Sequence, residues 1–177
     1  MRCAMTDREY PEFSDGVWDD GEWISWDWIN QQIYEQELQA QYPDAAPELI
    51  DVFERLVEIA VDYKTITGTY LQVWGELGEL YAEIKFGVKR HRPHAQGSDG
   101  KLGNDFVEVK TISPEKSAHK VKVKRAGNFS KLLVVKISEN FEFEAKMVER
   151  SALGKGTGKV ARYSWQAEPK PASKDDV

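Results

Sequence analysis

Apolar residues recur at three- and four-residue spacing through the first half of the chain and at two-residue spacing through much of the second. Ser25 or Asp27 can cap a helix that runs to about Tyr42, where Pro43 stops it. A second helix is predicted from Pro47 to about Ile66, with Leu49, Phe53, Leu56, Val57, Ala60 and Val61 at core spacing. Pro47 suits its first turn. A third is predicted from Thr69 to Phe86, where Tyr70, Val73, Trp74, Leu77, Leu80, Tyr81 and Ile84 make an apolar stripe. Beside the stripe, Gly75, Gly78 and Ala82 form a face of small residues. Each glycine costs a helix about 0.5–1 kcal/mol relative to alanine, so two of them imply a neighbour that packs close.

After Gly87 the pattern changes to strands. In Phe106 to Thr111, Val107, Val109 and Thr111 point one way while Glu108 and Lys110 point the other. Lys120 to Arg125 sets Val121 and Val123 against Lys120, Lys122 and Lys124, a half-buried strand with a basic outer face. KLLVVKI, Lys131 to Ile137, is apolar on both faces and reads as a central strand. A turn at SEN then leads to a hairpin partner in which Phe141, Phe143, Ala145 and Met147 alternate with polar residues, and a short last segment lies around Val160 to Trp165. Helices first and a mixed sheet afterwards make the fold α/β or α+β.

The acidic residues 1–22 read as an arm without packed structure of its own, and the tryptophans Trp18, Trp23, Trp26 and Trp28 are expected to pack the N-terminal helix onto the domain. The predicted organisation is an acidic, Trp-rich arm over 1–24 and a single domain over 25–166. That domain divides into a helical extension, 25–67, and a core, 68–166, and a polar, disordered tail follows over 167–177. A chain of 177 residues can bury such a core without staples.

The net charge of −6 would by itself argue against a nucleic-acid partner. Its distribution changes that reading. Residues 1–84 carry 4 Lys and Arg against 19 Asp and Glu, whereas residues 85–136 carry 13 against 4. A basic block behind an acidic half favours polyanion binding by that block. Lys120, Lys122, Lys124 and Arg125 are the candidate DNA-binding residues, although edge lysines also block aggregation. Cys3 is the single cysteine, which excludes an internal disulfide and fits a cytoplasmic protein. No apolar run approaches the roughly 20 residues of a membrane helix, and the first residues show no signal-type segment, so no membrane partner is expected.

The candidate chemistry lies in GSDGKLGNDFVEVKT, residues 97–111. Glu108 and Lys110 project side by side about 6.6–7 Å apart, with Asp99 a short turn earlier. Two carboxylates of this kind can hold Mg²⁺, and a lysine beside them can orient a water and offset charge on phosphorus. Asp105 competes with Asp99, but it stands three residues from Glu108 and so falls on the opposite face. The bland reading is a surface ion pair worth under about 1 kcal/mol. Glu-x-Lys also occurs at Glu83–Lys85, Glu144–Lys146 and Glu168–Lys170; only Glu108 combines an apolar strand, an upstream Asp in a turn and an earlier helix with a glycine-flanked Glu79.

Glu79 in GELGELYAEIKFG, Asp99 in GSDG, and Glu108 and Lys110 in VEVKT resemble the motif of the restriction endonuclease-like, PD-(D/E)xK nucleases, over about residues 68–150. Ser98 stands where that motif often has proline. The resemblance implies a central mixed β-sheet flanked by helices and a divalent-metal-dependent endonuclease that hydrolyses DNA. It implies Mg²⁺ or Mn²⁺ held by Asp99 and Glu108, Glu79 as an auxiliary ligand, and Lys110 serving the water and the transition state; it leaves a homodimer open. A catalytically silent nucleic-acid- or protein-binding module of the same fold is the alternative, with an acidic N-terminal region that imitates DNA. Weaker signals carry less. GKGTGK departs from the Walker pattern and reads as a flexible basic loop. His91, His94 and His119 with one remote cysteine do not make a closed zinc site, and His91 and His94 read as solvated loop residues.

Overall fold

The computed structural model describes residues 15–92, 97–154 and 157–165. Cys3, His94, the centre of the GKGTGK loop and the tail 167–177 lie outside the described residues. The chain divides into two compact units, one ending at Pro47 and one starting at Glu48.

In the first unit, β1 (Gly16–Asp19) and β2 (Glu22–Ser25) form an antiparallel hairpin that leads into α1 (Trp26–Gln41). Residues 16–25 therefore have regular structure, contrary to the unpacked arm expected from their acidity. Asp20 and Gly21 both hold positive φ, 43° and 86°. Those angles suit a two-residue hairpin loop, and Asp-Gly is among the few pairs that adopt them readily. Trp18 lies opposite Trp23 in the ladder, with ring centroids 5.7 Å apart, edge to face. Ser25 caps α1 by accepting from the Trp28 N–H at 3.2 Å, which satisfies one of the orphan donors of the first turn.

The second unit opens with α2 (Pro47–Thr67) and α3 (Trp74–Phe86). The strands β3 (Lys89–Arg90), β4 (Gly100–Leu102), β5 (Asp105–Ile112), β7 (Lys131–Ile137) and β8 (Phe143–Glu149) form one sheet in the order β3-β4-β5-β7-β8. Within it only β5 and β7 run parallel. Three helices and a mixed five-stranded sheet among the described residues make this an α+β protein. β6 (Lys120–Lys124) and β9 (Val160–Ser164) form a separate two-stranded antiparallel ribbon. Among the described residues no helix is long and apolar enough to cross a membrane.

α3 begins at Trp74 instead of Thr69. Val73 precedes it without a side-chain cap, and Tyr70 reaches the core from the connecting segment. There its ring lies 5.6 Å from that of Trp74, and its hydroxyl accepts from Lys64 Nζ at 2.6 Å. Packing, not helical phase, places Tyr70.

The sheet has a core on each face. On one, Leu77 and Ala82 of α3 meet Val107, Val109, Leu133 and Val135, with Phe53 of α2 against Tyr81 and Phe143 at the margin. On the other, Ile112, Leu132 and Val134 meet Val121 and Val123 of the ribbon and Trp165. Leu132 to Val135 are wholly buried, which explains the unbroken apolar run: each side chain gains about 1.5–3 kcal/mol against one core or the other. The two glycines of α3 differ. A Cβ on Gly78 would overlap Thr111 Oγ1 of β5, whereas one on Gly75 would meet nothing within 4 Å. Gly78 alone is the close-packing position.

Candidate active site at the parting of two strands

β4 pairs with β5 only opposite Asp105 to Val107. Asp99 is the last residue to continue the ladder: its N–H donates to the Val107 carbonyl at 3.0 Å. One step further along β5 the partner is no longer backbone. The Val109 N–H donates to Asp99 Oδ2 at 2.7 Å, so the carboxylate takes the place of the missing strand. The Val109 carbonyl faces the same open edge, since both backbone groups of a strand residue point sideways together. It accepts from Lys110 Nζ at 2.9 Å, and the Thr111 carbonyl accepts from Lys116 Nζ at 3.2 Å.

Lys110 Nζ also lies 2.7 Å from Glu108 Oε1 and 3.6 Å from Asp99 Oδ2. The side chains of Glu108, Asp99 and Lys110 are only 16%, 28% and 33% exposed, so this is not a pair of free surface charges. Two carboxylates share one ammonium and leave one negative charge in a half-buried place.

Glu79 adds to that excess. Burial, then the charge of Asp99, then that of Glu76 raise its pKa above the usual carboxyl value, against the opposing pull of Arg90 and Lys110. Arg90 does not pair with it, being held by Glu83 at 2.6 Å and Glu76 at 2.8 Å. A carboxyl whose folded pKa is raised keeps its proton longer in the native state. Its contribution to stability is therefore present at acid pH and is lost as pH rises through the folded pKa. Glu79→Gln is expected to become more stable than the wild type as thermal melts in chelator are moved from acid to neutral pH; a gap independent of pH would contradict this.

Glu79, Val109 and Lys110 line a cleft of about 320 Å³ together with Gly75, Thr111 and Lys116. The unused volume at Gly75 is part of that opening. The site thus has open volume beside it.

The structure brings Asp99, Glu108 and Lys110 together and sets Glu79 where it feels the charges of Asp99 and Lys110. It does not bring Asp105 there: Asp105 pairs with Lys131 at 2.8 Å and accepts from Ser130 Oγ at 2.9 Å, and these hydrogen bonds hold its pKa low. Lys120, Lys122 and Lys124 are exposed on the outer face of β6. Arg125 turns away from them, with Nη1 donating to the Gly154 carbonyl at 2.8 Å and Nε buried. Its role is to hold the chain at Gly154.

Two features escape the sequence. The Val109 carbonyl carries no side-chain signal at all. His91, expected to be a solvated loop residue, is half-buried; its backbone N–H donates to the Asp99 carbonyl at 2.9 Å, and its Nδ1 lies 3.2 Å from the Ser98 carbonyl. Ser98, which stands in the proline position of the resembled motif, is buried beneath it. Together they fix the backbone from which Asp99 projects.

Glu108 Oε1, the Val109 carbonyl and Asp99 Oδ2 already surround the Lys110 ammonium, and all three are the hard oxygen donors that Mg²⁺ and Mn²⁺ take. Among the described residues no three His, Cys, Asp or Glu side chains are grouped so as to hold a metal ion. A cation would thus rest on two carboxylates, a carbonyl and water, the partial protein shell that Mg²⁺ commonly keeps.

No protein-family model matches this sequence, and no curated protein is significantly similar to it.

Proposed function

We propose that the protein is a divalent-metal-dependent deoxyribonuclease with a restriction endonuclease-like core. The observation that carries this reading is the Lys110 ammonium held among Asp99, Glu108 and the Val109 carbonyl at the open edge where β4 leaves β5. An Asp just ahead of one strand and a Glu-x-Lys on the strand paired with it, with Glu79 on the preceding helix, agree with the PD-(D/E)xK resemblance.

Asp99 and Glu108 would hold Mg²⁺ or Mn²⁺ with the Val109 carbonyl, and Glu79 would reach it directly or through water. The bound cation would supply Lewis acidity, drawing charge from a phosphate oxygen and making a water easier to deprotonate. Lys110 would give up its present contacts and turn its ammonium to the phosphate, where it offsets the charge that builds on the phosphoryl oxygens. The cleft beside Gly75 would receive the phosphate, and the His91–Ser98 contact would keep Asp99 at a fixed distance from β5. One feature favours the silent-module alternative: Lys110 already balances one of the two carboxylates without a ligand.

Supercoiled plasmid separates the two. The wild type is expected to nick or linearise it with Mg²⁺ or Mn²⁺ and not in chelator, and Glu108→Ala to be slower by at least about 100-fold. Wild-type DNA binding without cleavage would select the silent module, and cleavage by Glu108→Ala at the wild-type rate would defeat the assignment.

A further inference from the structure

The ribbon β6–β9 has an unusual outer face. β6 presents Lys120, Lys122 and Lys124, and β9 presents Val160, Arg162 and Ser164, all exposed. Register places Lys122 directly opposite Arg162. Like charges in that relation repel and destabilise the pair. Among the described residues no carboxylate forms an ion pair with any of the four cations. The inner face is the opposite in character: Val121, Val123 and Ala161 are buried, and the two valines belong to the core that contains Ile112 of β5. The ribbon is therefore anchored to the sheet. It also covers the same face of the sheet from which Glu108 and Lys110 project, as the alternation along β5 requires.

We infer that the outer face of this ribbon is a docking surface for the phosphate backbone of double-stranded DNA, with Lys120, Lys122, Lys124 and Arg162 as its contacts. This rests on the nuclease reading for the choice of DNA. A polyanion removes the repulsion between Lys122 and Arg162, which no ion pair within the ribbon relieves. Cations two residues apart along one strand repeat every 6.6–7 Å or so, roughly the spacing of successive phosphates, and Arg162 adds a fourth cation across the ladder. Among the described residues of the ribbon the outer face has no exposed aromatic side chain, because Tyr163 is turned toward the core. Single strands are held largely by stacking on such side chains, so the surface suits a duplex, and contacts to phosphate make it indifferent to base sequence.

The test is fluorescence anisotropy with a short labelled DNA duplex, and with one of its strands alone, in chelator over a range of salt. The salt slope of duplex binding is expected to become shallower by about 1.8 in Lys122→Ala/Arg162→Ala, at about 0.9 for each phosphate that the variant no longer neutralises. Arg162→Glu should weaken duplex binding as well while keeping or raising the melting temperature, since it replaces a cross-strand repulsion by an attraction. Unchanged affinity and slope in the double variant would overturn the inference and leave the nuclease reading intact. Equal effects on the single strand would overturn the selection of duplex. A wild type that never cleaves plasmid, yet binds duplex through the ribbon, would instead strike the nuclease reading alone and support the docking surface.

Discussion

Lys110→Ala is expected to cut metal-dependent DNA cleavage by about 10²–10³-fold, the usual cost of removing one charge-stabilising donor from a transition state. The same substitution should not weaken cation binding. In the wild type the ammonium stands among Glu108 Oε1, the Val109 carbonyl and Asp99 Oδ2, so a metal ion bound there would have to displace it. Alanine removes that competitor and leaves two half-buried carboxylates without their counter-charge. The variant should melt lower than the wild type in chelator and recover more when Mn²⁺ is added, because a ligand that binds only the native state stabilises it. Steady-state cleavage and melting curves in Mn²⁺ check the two halves separately. Lower activity with unchanged response to Mn²⁺ would mean that Lys110 does not occupy the cation position.

Gly78→Val should lower stability and activity together. A side chain there overlaps Thr111 Oγ1 and crowds Thr111 Cβ, neither of which is the free end of a flexible chain. α3 must then move off β5, at a cost of about 1–3 kcal/mol for overpacking. Glu79 is the next residue on that helix, so the displacement also carries it away from Asp99. Both melting temperature and cleavage rate should fall. Gly75→Ala is the control: its Cβ meets nothing within 4 Å, and it should gain about 0.5–1 kcal/mol from helix propensity. A Gly78→Val protein as stable as the wild type would show that the helix has slack the packing does not reveal.

Features set by neighbours in sequence are legible without the structure. The alternation of β5 puts Glu108 and Lys110 on one face, and the apolar run of β7 marks a strand buried on both sides. Ser25, the capping residue, and the stop before Pro43 belong to the same class. The Asp20-Gly21 turn is equally local, but the acidity of the surrounding segment outweighs it in a reading by composition. What cannot be read depends on residues distant in sequence. Asp99 acquires its position because a strand ends beside Val109, and no pattern around residue 99 specifies that. Arg125 follows Lys124 in the chain and looks like part of the basic row, whereas Arg162, far along the sequence, is the residue that register places beside Lys122.

A cation site built from Asp99, Glu108 and the Val109 carbonyl underlies every step of the proposed cleavage. Anomalous diffraction from crystals equilibrated with Mn²⁺ tests it most directly. A peak within coordination distance of both carboxylates and the carbonyl, with the Lys110 ammonium moved out, is the predicted result. Saturating Mn²⁺ that leaves no peak there, with Lys110 still bonded to Glu108, would contradict it.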